Sequence, residues 1–268
     1  MRTALRALLL IALTALGLEL FFVARIAALA VLDPASTSFQ RSEMWRLASL
    51  RGAPQVLTQG LPWHQQWVPY DQLGGAIKRA VVASEDDGFI HHEGVDWDAM
   101  EKAWQKNAQT QEQLARLERQ RAKAKAQGKQ ASPSAGAAAP APARQPKLVG
   151  GSTITQQLAK NLLLSGERNL ARKGQELLLT FALETFLSKR RILELYLNHV
   201  EWGEGVFGAE AAARHYYGKS ARALSPWEAA RLAVMLPSPK RYERTPGSTY
   251  LSARASAVAA RMGDALVP

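Results

Sequence analysis

The sequence predicts a mostly α-helical domain behind an N-terminal membrane-spanning helix, and three observations carry that prediction. Ala7 to Ala24 is apolar except for Thr14 and Glu19. Later segments place apolar residues at three-to-four spacing behind helix-start signals. No segment alternates apolar and polar residues as a half-buried strand would.

The N-terminal run is interrupted by Arg25 and resumes from Ile26 to Leu32. About 18 such residues suffice to cross the hydrocarbon as a helix. Arg2 and Arg6 precede it, which favours a cytoplasmic N-terminus with the rest of the chain outside. Ala28-Leu29-Ala30 has the small-x-small form of a signal-peptide cleavage site, but the run exceeds a usual signal core and favours an uncleaved anchor. A buried soluble helix is the third reading, weakened because the run is apolar on every side.

Residues 33–70 read as a juxtamembrane stretch. Asp33-Pro34 stops the first helix. Trp63, Trp67 and Tyr70 suit a membrane interface or packing on the domain. From 71 to 268 the chain reads as one domain. Leu73 to Asp98 is expected to be a helix followed by an irregular loop, with a second helix from about Val95 to Gln113. Thr153-x-x-Gln156 fits a capping box. Further helices are expected from Leu170 to Ser188 and from Lys189 to His199. Ser225-Pro226-Trp227-Glu228 combines an N-cap serine, proline at the first helical position and a glutamate three after the cap. That helix should end at Pro237. Leu251, Ala255, Val258, Met262 and Leu266 mark the last one.

Hydrophobic residues make up 47% of the 268, enough for a packed core, and the absence of cysteine excludes disulfides and thiolate chemistry. The formal charge of +11 suits anionic lipid or phosphorylated substrates. No nucleic-acid-binding signature is present. Much of the charge sits at about 106–147, an Ala/Gln/Lys/Arg/Pro-rich insert. Its first part is compatible with a solvated helix, and 132–146 is expected to be disordered. It reads either as a tolerated surface insertion or as a basic flap near anionic lipid.

Three places gather chemically capable residues. Glu85-Asp86-Asp87 precedes Phe89, His91, His92, Gly94 and Asp96 at an expected helix end. Such a cluster reads as a solvated cap or as a cation site, though its histidines lack the spacing of a helical zinc pair. The helix after Leu170 is apolar nearly all round, and is therefore expected to be buried. It still carries the row Arg172, Glu176, Thr180 and Glu184. That row is either internally paired or lines a groove. Gly150 to Gln157 places glycines, hydroxyls and amides at a helix N-terminus, followed by Lys160, Arg168, Arg172 and Lys173. This suits ordinary capping or a diphosphate cradle.

Together these residues resemble glycosyltransferase family 51, in particular its monofunctional biosynthetic members. The family's first motif, Glu-Asp-x-x-Phe-x-x-His-x-Gly-x-Asp, is met by Glu85, Asp86, Phe89, His92, Gly94 and Asp96. The Gly-Gly-Ser-Thr-Ile-Thr-Gln-Gln-Leu-x-Lys-Asn run spans Gly150 to Asn161. Arg172, Lys173 and Glu176 match Arg-Lys-x-x-Glu. Lys189 to Asn198 matches a fourth motif and Gly208 to Lys219 a fifth. The insert is longer than the family normally shows. No room follows Arg244 for a transpeptidase domain, so a single-activity enzyme is expected.

The resemblance implies a lysozyme-like, mostly helical fold with a groove between a core lobe and a membrane-embedded jaw lobe. It implies polymerisation of lipid II outside the cytoplasmic (inner) membrane. The 4-hydroxyl of the acceptor attacks the anomeric carbon of the nascent lipid-linked glycan, with inversion, and undecaprenyl diphosphate leaves. Glu85 is implied as general base, and Glu176 as the second carboxylate, orienting cations or donor. Lys160, Arg168, Arg172 and Lys173 would stabilise the diphosphate. Ser152, Thr155, Gln156 and Gln157 would hold sugars or phosphates. Asp86, Phe89, His92 and Asn161 complete the expected substrate site. The resemblance implies no required cofactor, with a divalent cation, Mg or Mn, at the diphosphate as an optional addition. Expected partners are lipid II, nascent glycan, the bilayer and other wall-synthesis or division proteins. A lysozyme-like hydrolase and a non-catalytic wall scaffold are the rival readings. The cationic row argues against the first, and the carboxylates with the hydroxyl-amide run argue against the second.

Overall fold

The computed structural model describes residues 2–126, 151–164 and 170–268. The expected disorder at 132–146 lies outside them. Along the chain run α1 (Arg2–Ala28), α2 (Ser38–Arg51), α3 (Ala53–Gln59), β1 (His64–Gln65), α4 (Gly75–Glu85) and α5 (Trp97–Ala126). There follow α6 (Ile154–Leu163), α7 (Leu170–Phe186), α8 (Lys189–His199), β2 (Glu201–Gly203), β3 (Val206–Phe207) and α9 (Ala209–Tyr217). The last three are α10 (Pro226–Met235), α11 (Pro239–Arg244) and α12 (Thr249–Arg261). The described residues form two compact units, one within 1–95 and 153–268, the other within 96–152.

The fold is mostly helical, as the sequence implies. Local signals placed several elements well. Thr153 and Ser225 both form full capping boxes, with Gln156 and Glu228 reaching back to the cap. In the second unit, α5 starts where Asp96 Oδ1 accepts from Ala99 N at 2.8 Å. It runs well past Gln113, because its Ala, Gln, Lys, Arg and Glu residues are strong helix formers.

Two expectations need correcting. An all-helical domain was expected, yet a small sheet of order β1-β3-β2 is present, parallel between β1 and β3 and antiparallel between β2 and β3. Its strands are two or three residues long, and β2 and β3 are buried throughout, so no alternation marks them. The second correction concerns α7. Leu179, Leu183 and Leu187 are buried, but Leu178, Phe181 and Phe186 stand 58%, 41% and 44% exposed. One side of α7 packs on α6 and on α1, and Leu178, Phe181 and Phe186 lie on the side that stays partly exposed.

The core of the first unit is built around α4, where Ile77 and Ala80 to Ala83 are all essentially inaccessible. It packs against α10 and α12. Arg261 donates to the carbonyl of Ala83, which caps the end of α4 from across the core. Tyr70 is buried, Trp67 packs on the core and Trp63 stacks on Phe207 with ring centres 4.5 Å apart. These aromatics therefore pack on the domain.

The N-terminal helix is fixed to this body. Ile26 and Leu29 enter the core. Arg191 of α8 donates through Nε to Leu29 O at 2.7 Å and through a guanidinium nitrogen to Leu32 O at 2.9 Å, and it pairs with Asp33 at 2.7 Å. A cation thus sits on the orphan carbonyls that follow the helix C-terminus. The helix is long and apolar enough to cross a membrane.

Two buried groups titrate abnormally near the sheet. His199 Nδ1 lies 3.2 Å from both Gln40 Oε1 and Gln65 Nε2, and burial pushes its pKa down to about 4. Glu201 sits 3.1 Å from Lys240 Nζ, yet burial pushes it up to about 7. Between about pH 6.5 and 4 the unfolded chain takes a proton that folded His199 refuses, so acidification there favours unfolding. Between about pH 4.5 and 7 folded Glu201 keeps a proton that the unfolded chain has released, so alkalinisation there favours unfolding. The slopes oppose each other where the windows overlap. Glu201→Gln should therefore lose stability on acidification across that overlap more steeply than wild type, by about 1.4 kcal/mol per pH unit. Denaturant melts across the window check this, and an unchanged slope means Glu201 is ionised in the folded protein.

Candidate active site

Glu85 is the last residue of α4, half-buried, and the chain turns sharply at Asp86, whose φ and ψ are −164° and 74°. The loop that follows folds back on itself through Phe89 N to Asp86 O at 3.0 Å and His91 N to Gly88 O at 2.8 Å.

Asp86 is buried, and both its oxygens are engaged. Oδ1 accepts from His92 Nε2 at 2.8 Å, and Oδ2 accepts from Ile154 N, the first residue of α6, at 2.9 Å. A carboxylate on a free helix-start N–H is a favourable placement, because the helix dipole adds to the hydrogen bond. Thr153 Oγ1 donates to Gly94 O at 2.6 Å, which docks the start of α6 a second time. Gly94 has φ of 85°, and a Cβ there would lie 2.6 Å from Thr180 Cγ2 of α7, so only glycine fits this crossing.

One turn along α6, Gln157 Nε2 donates to Glu85 Oε2 at 3.1 Å. Its Oε1 accepts from Tyr196 Oη of α8 at 2.7 Å. Burial raises the Tyr196 pKa well above the ordinary phenol value, and the charges of Glu85 and Asp86 push it the same way. α8 also sends Lys189 Nζ to His92 O at 2.6 Å and to Glu184 Oε1 at 2.8 Å, with the ammonium 4.7 Å from the Phe89 ring centre.

The polar row of α7 is paired partly within the helix and partly with α6 and α8. Glu176, buried, accepts from Arg172 at 3.2 Å and from Lys173. Glu184 accepts from Thr155 Oγ1 at 2.6 Å as well as from Lys189. The pairing does not remove the groove reading, since Lys173 remains 53% exposed beside Glu176 and Arg172 18%.

The structure brings Glu85, Asp86, His92 and Gln157 together, with Thr155 and Gln156 in the same first turn of α6. Thr155, Gln156 and Phe89 are buried. Thr155 holds Glu184, Gln156 closes the capping box and Phe89 fills the core. Asp86 and His92 pair with each other. Lys160, exposed, and Asn161, half-buried, lie further along α6. Ser152 belongs to the second unit. Arg168 lies outside the described residues. A cavity of about 400 Å³ lined by residues such as Trp63, His64, Gln65, Arg214 and His215 contains none of these side chains.

A sequence profile described as Transglycosylase matches residues 54–131 and 127–263. The chain belongs to the transglycosylase family. It is 46% identical over 253 residues to the biosynthetic peptidoglycan transglycosylase of Burkholderia thailandensis, covering 94% of this chain and 83% of that one. It is 44% identical to the protein of the same name from Burkholderia pseudomallei, with the same coverage. With that of Herminiimonas arsenicoxydans it shares 44% over 257 residues, 96% of this chain and 93% of the relative.

Sequence reasoning missed Tyr196, Lys189 and Glu184 as members of this transglycosylase site. Tyr196 and Lys189 stand in the fourth family motif and Glu184 in the α7 row, so the signal was present without a partner to interpret it. Asp86→Asn should lower stability by about 1–3 kcal/mol, because a neutral amide replaces the charged acceptor on Ile154 N–H and forces His92 to change tautomer to keep its contact. A thermal melt reads this, and an unchanged midpoint would return Asp86 to a substrate-contact role.

Proposed function

We propose that this transglycosylase polymerises lipid II, transferring the growing lipid-linked glycan onto the 4-hydroxyl of the incoming disaccharide, with Glu85 as general base. The observation that carries the reading is the contact of Gln157 with Glu85 at the end of α4. A sugar hydroxyl is a weak nucleophile, and a positioned carboxylate that removes its proton lowers the barrier. An N–H donor beside Glu85 is compatible with the ionised form that a base needs.

The leaving diphosphate needs charge stabilisation and no proton. Lys173 and Arg172, both held by Glu176, supply fixed positive charge on α7. Lys160 and Arg168 are proposed to join them. A divalent cation at the diphosphate would be held by hard oxygen ligands, those of the diphosphate and water among them.

We place the catalytic domain on the outer face of the cytoplasmic membrane, with α1 crossing it and the N-terminus inside. The exposed Leu178, Phe181 and Phe186 lie on a helix packed against α1. That apolar surface suits contact with lipid, where the polyprenyl tails of the substrates reside. Other wall-synthesis or division proteins are proposed to meet the chain in that membrane.

Glu85→Gln should fold normally and polymerise roughly 100-fold to 10,000-fold more slowly, the scale of a lost general base. Purified lipid-linked disaccharide and the detergent-solubilised protein test this, with product scored on gels and by muramidase sensitivity. Near-normal polymer from the variant would remove Glu85 from the role. Separately, Phe181→Ser with Phe186→Ser should leave the thermal midpoint within a few degrees, since both residues are exposed, but weaken vesicle binding of a variant lacking α1. Vesicle flotation measures that binding, and unchanged flotation would detach α7 from the bilayer.

A further inference from the structure

The Gln157 amide is held at both ends, and the two contacts are not equivalent. A side-chain amide has nearly the same shape after a half-turn about its last bond, so only its partners decide which atom points where. One partner here is the Glu85 carboxylate, which when ionised can only accept. The other is the Tyr196 hydroxyl, 2.7 Å from Gln157 Oε1. We propose that Tyr196 is a positioning residue for glycan polymerisation, whose hydroxyl locks the Gln157 amide so that its N–H faces Glu85. The inference rests on the reading of Glu85 as the base.

The alternative orientation fails on both sides. A turned amide would set Oε1 against Glu85 Oε2, at about the 3.1 Å that now separates donor from acceptor. Two acceptors at that distance repel unless Glu85 takes up a proton, which would disable it as a base. The turned Nε2 would face Tyr196 Oη, forcing that hydroxyl to accept and to send its own proton elsewhere. Tyr196 is 1% exposed, so no solvent takes that proton. Burial and the two nearby carboxylates also keep the phenol protonated, so it remains a donor at any working pH.

The frame around the relay is fixed on both sides. Gln157 stands one turn from Ile154, whose N–H is held by Asp86, and Asp86 follows Glu85 in the chain. Tyr196 stands two turns from Lys189, which α8 ties to His92 and Glu184. Against that frame the Tyr196 hydroxyl acts on the rotation of the Gln157 amide, by donating to its Oε1. A group that acts this way alters the chemical step and the ionisation of the base, with little effect on substrate affinity.

The test is a kinetic cycle on the full chain with lipid-linked disaccharide, using wild type, Tyr196→Phe, Gln157→Ala and the double variant across a range of pH. Tyr196→Phe should lower kcat about tenfold, the scale of one hydrogen bond expressed in the transition state, with KM changed less than about twofold. The acid limb of its kcat profile should move to higher pH, because an unlocked amide no longer favours the carboxylate. In the Gln157→Ala background the same change should cost nothing further, since the relay is already broken. Equal losses in both backgrounds, or an acid limb that stays in place, would overturn the proposal and leave Tyr196 as packing. If Tyr196→Phe does not fold, ring-fluorinated tyrosine placed at position 196 carries the test, because it keeps the packing and makes the hydroxyl a stronger donor to Gln157. It must move the acid limb to lower pH, and an unshifted profile would overturn the proposal. Polymerisation by Glu85→Gln at near the wild-type rate would instead remove the base itself, so the two failures are distinguishable.

Discussion

The site depends on one buried carboxylate. Asp86 accepts from the first N–H of α6 with one oxygen and from His92 with the other. An unpartnered charge in that position would be strongly unfavourable, so both partners must be in place for the fold to close. Closing it sets the end of α4 against the start of α6 and brings Gln157 within reach of Glu85. His92 in turn presents its carbonyl to Lys189, so the same carboxylate indirectly fixes α8. The residues of the first, second and fourth family motifs are thus joined through a single acceptor.

This changes what the family motifs mean in physical terms. A run of shared residues is easily read as a run of ligand contacts. Here Asp86 pairs with His92, Thr155 with Glu184 and Gln156 with Thr153, while Phe89 is buried in the core. Asn198 and Gly208 show the same division. Asn198 exchanges two hydrogen bonds with the backbone of Val68, and Gly208, with φ of 86°, comes so close to Asn198 O that a Cβ would sit at 2.8 Å. Asn198 ties the segment after β1 to α8, and Gly208 lets the turn between β3 and α9 approach the end of α8.

What could be read from sequence follows from how local each determinant is. The capping boxes at Thr153 and Ser225 and the span of α8 are decided within a few residues, and they were legible. Glu85 and the cationic α7 residues were legible through the family motifs. The sheet was not, because Trp202 and Phe207 are buried on both faces and their strands are too short to show a period. Nor was the exposure of Phe181 and Phe186, since an apolar helix reads the same whether protein or lipid surrounds it. The pairing of Tyr196 with Gln157 joins residues 39 apart, and nothing local to either names the other.

The attachment of α1 has a consequence for how rate should be reckoned. Arg191 clamps the end of a helix long enough to span a bilayer directly onto the body that carries Glu85, and an exposed apolar face of α7 lies alongside it. With α1 in a membrane as proposed, such an enzyme would meet a lipid-tailed substrate by diffusion in two dimensions. The relevant supply would then be the mole fraction of substrate within the surface, not its amount per volume of solution. Diluting the surface with detergent or inert lipid slows encounter even when the bulk concentrations of protein and substrate are held constant.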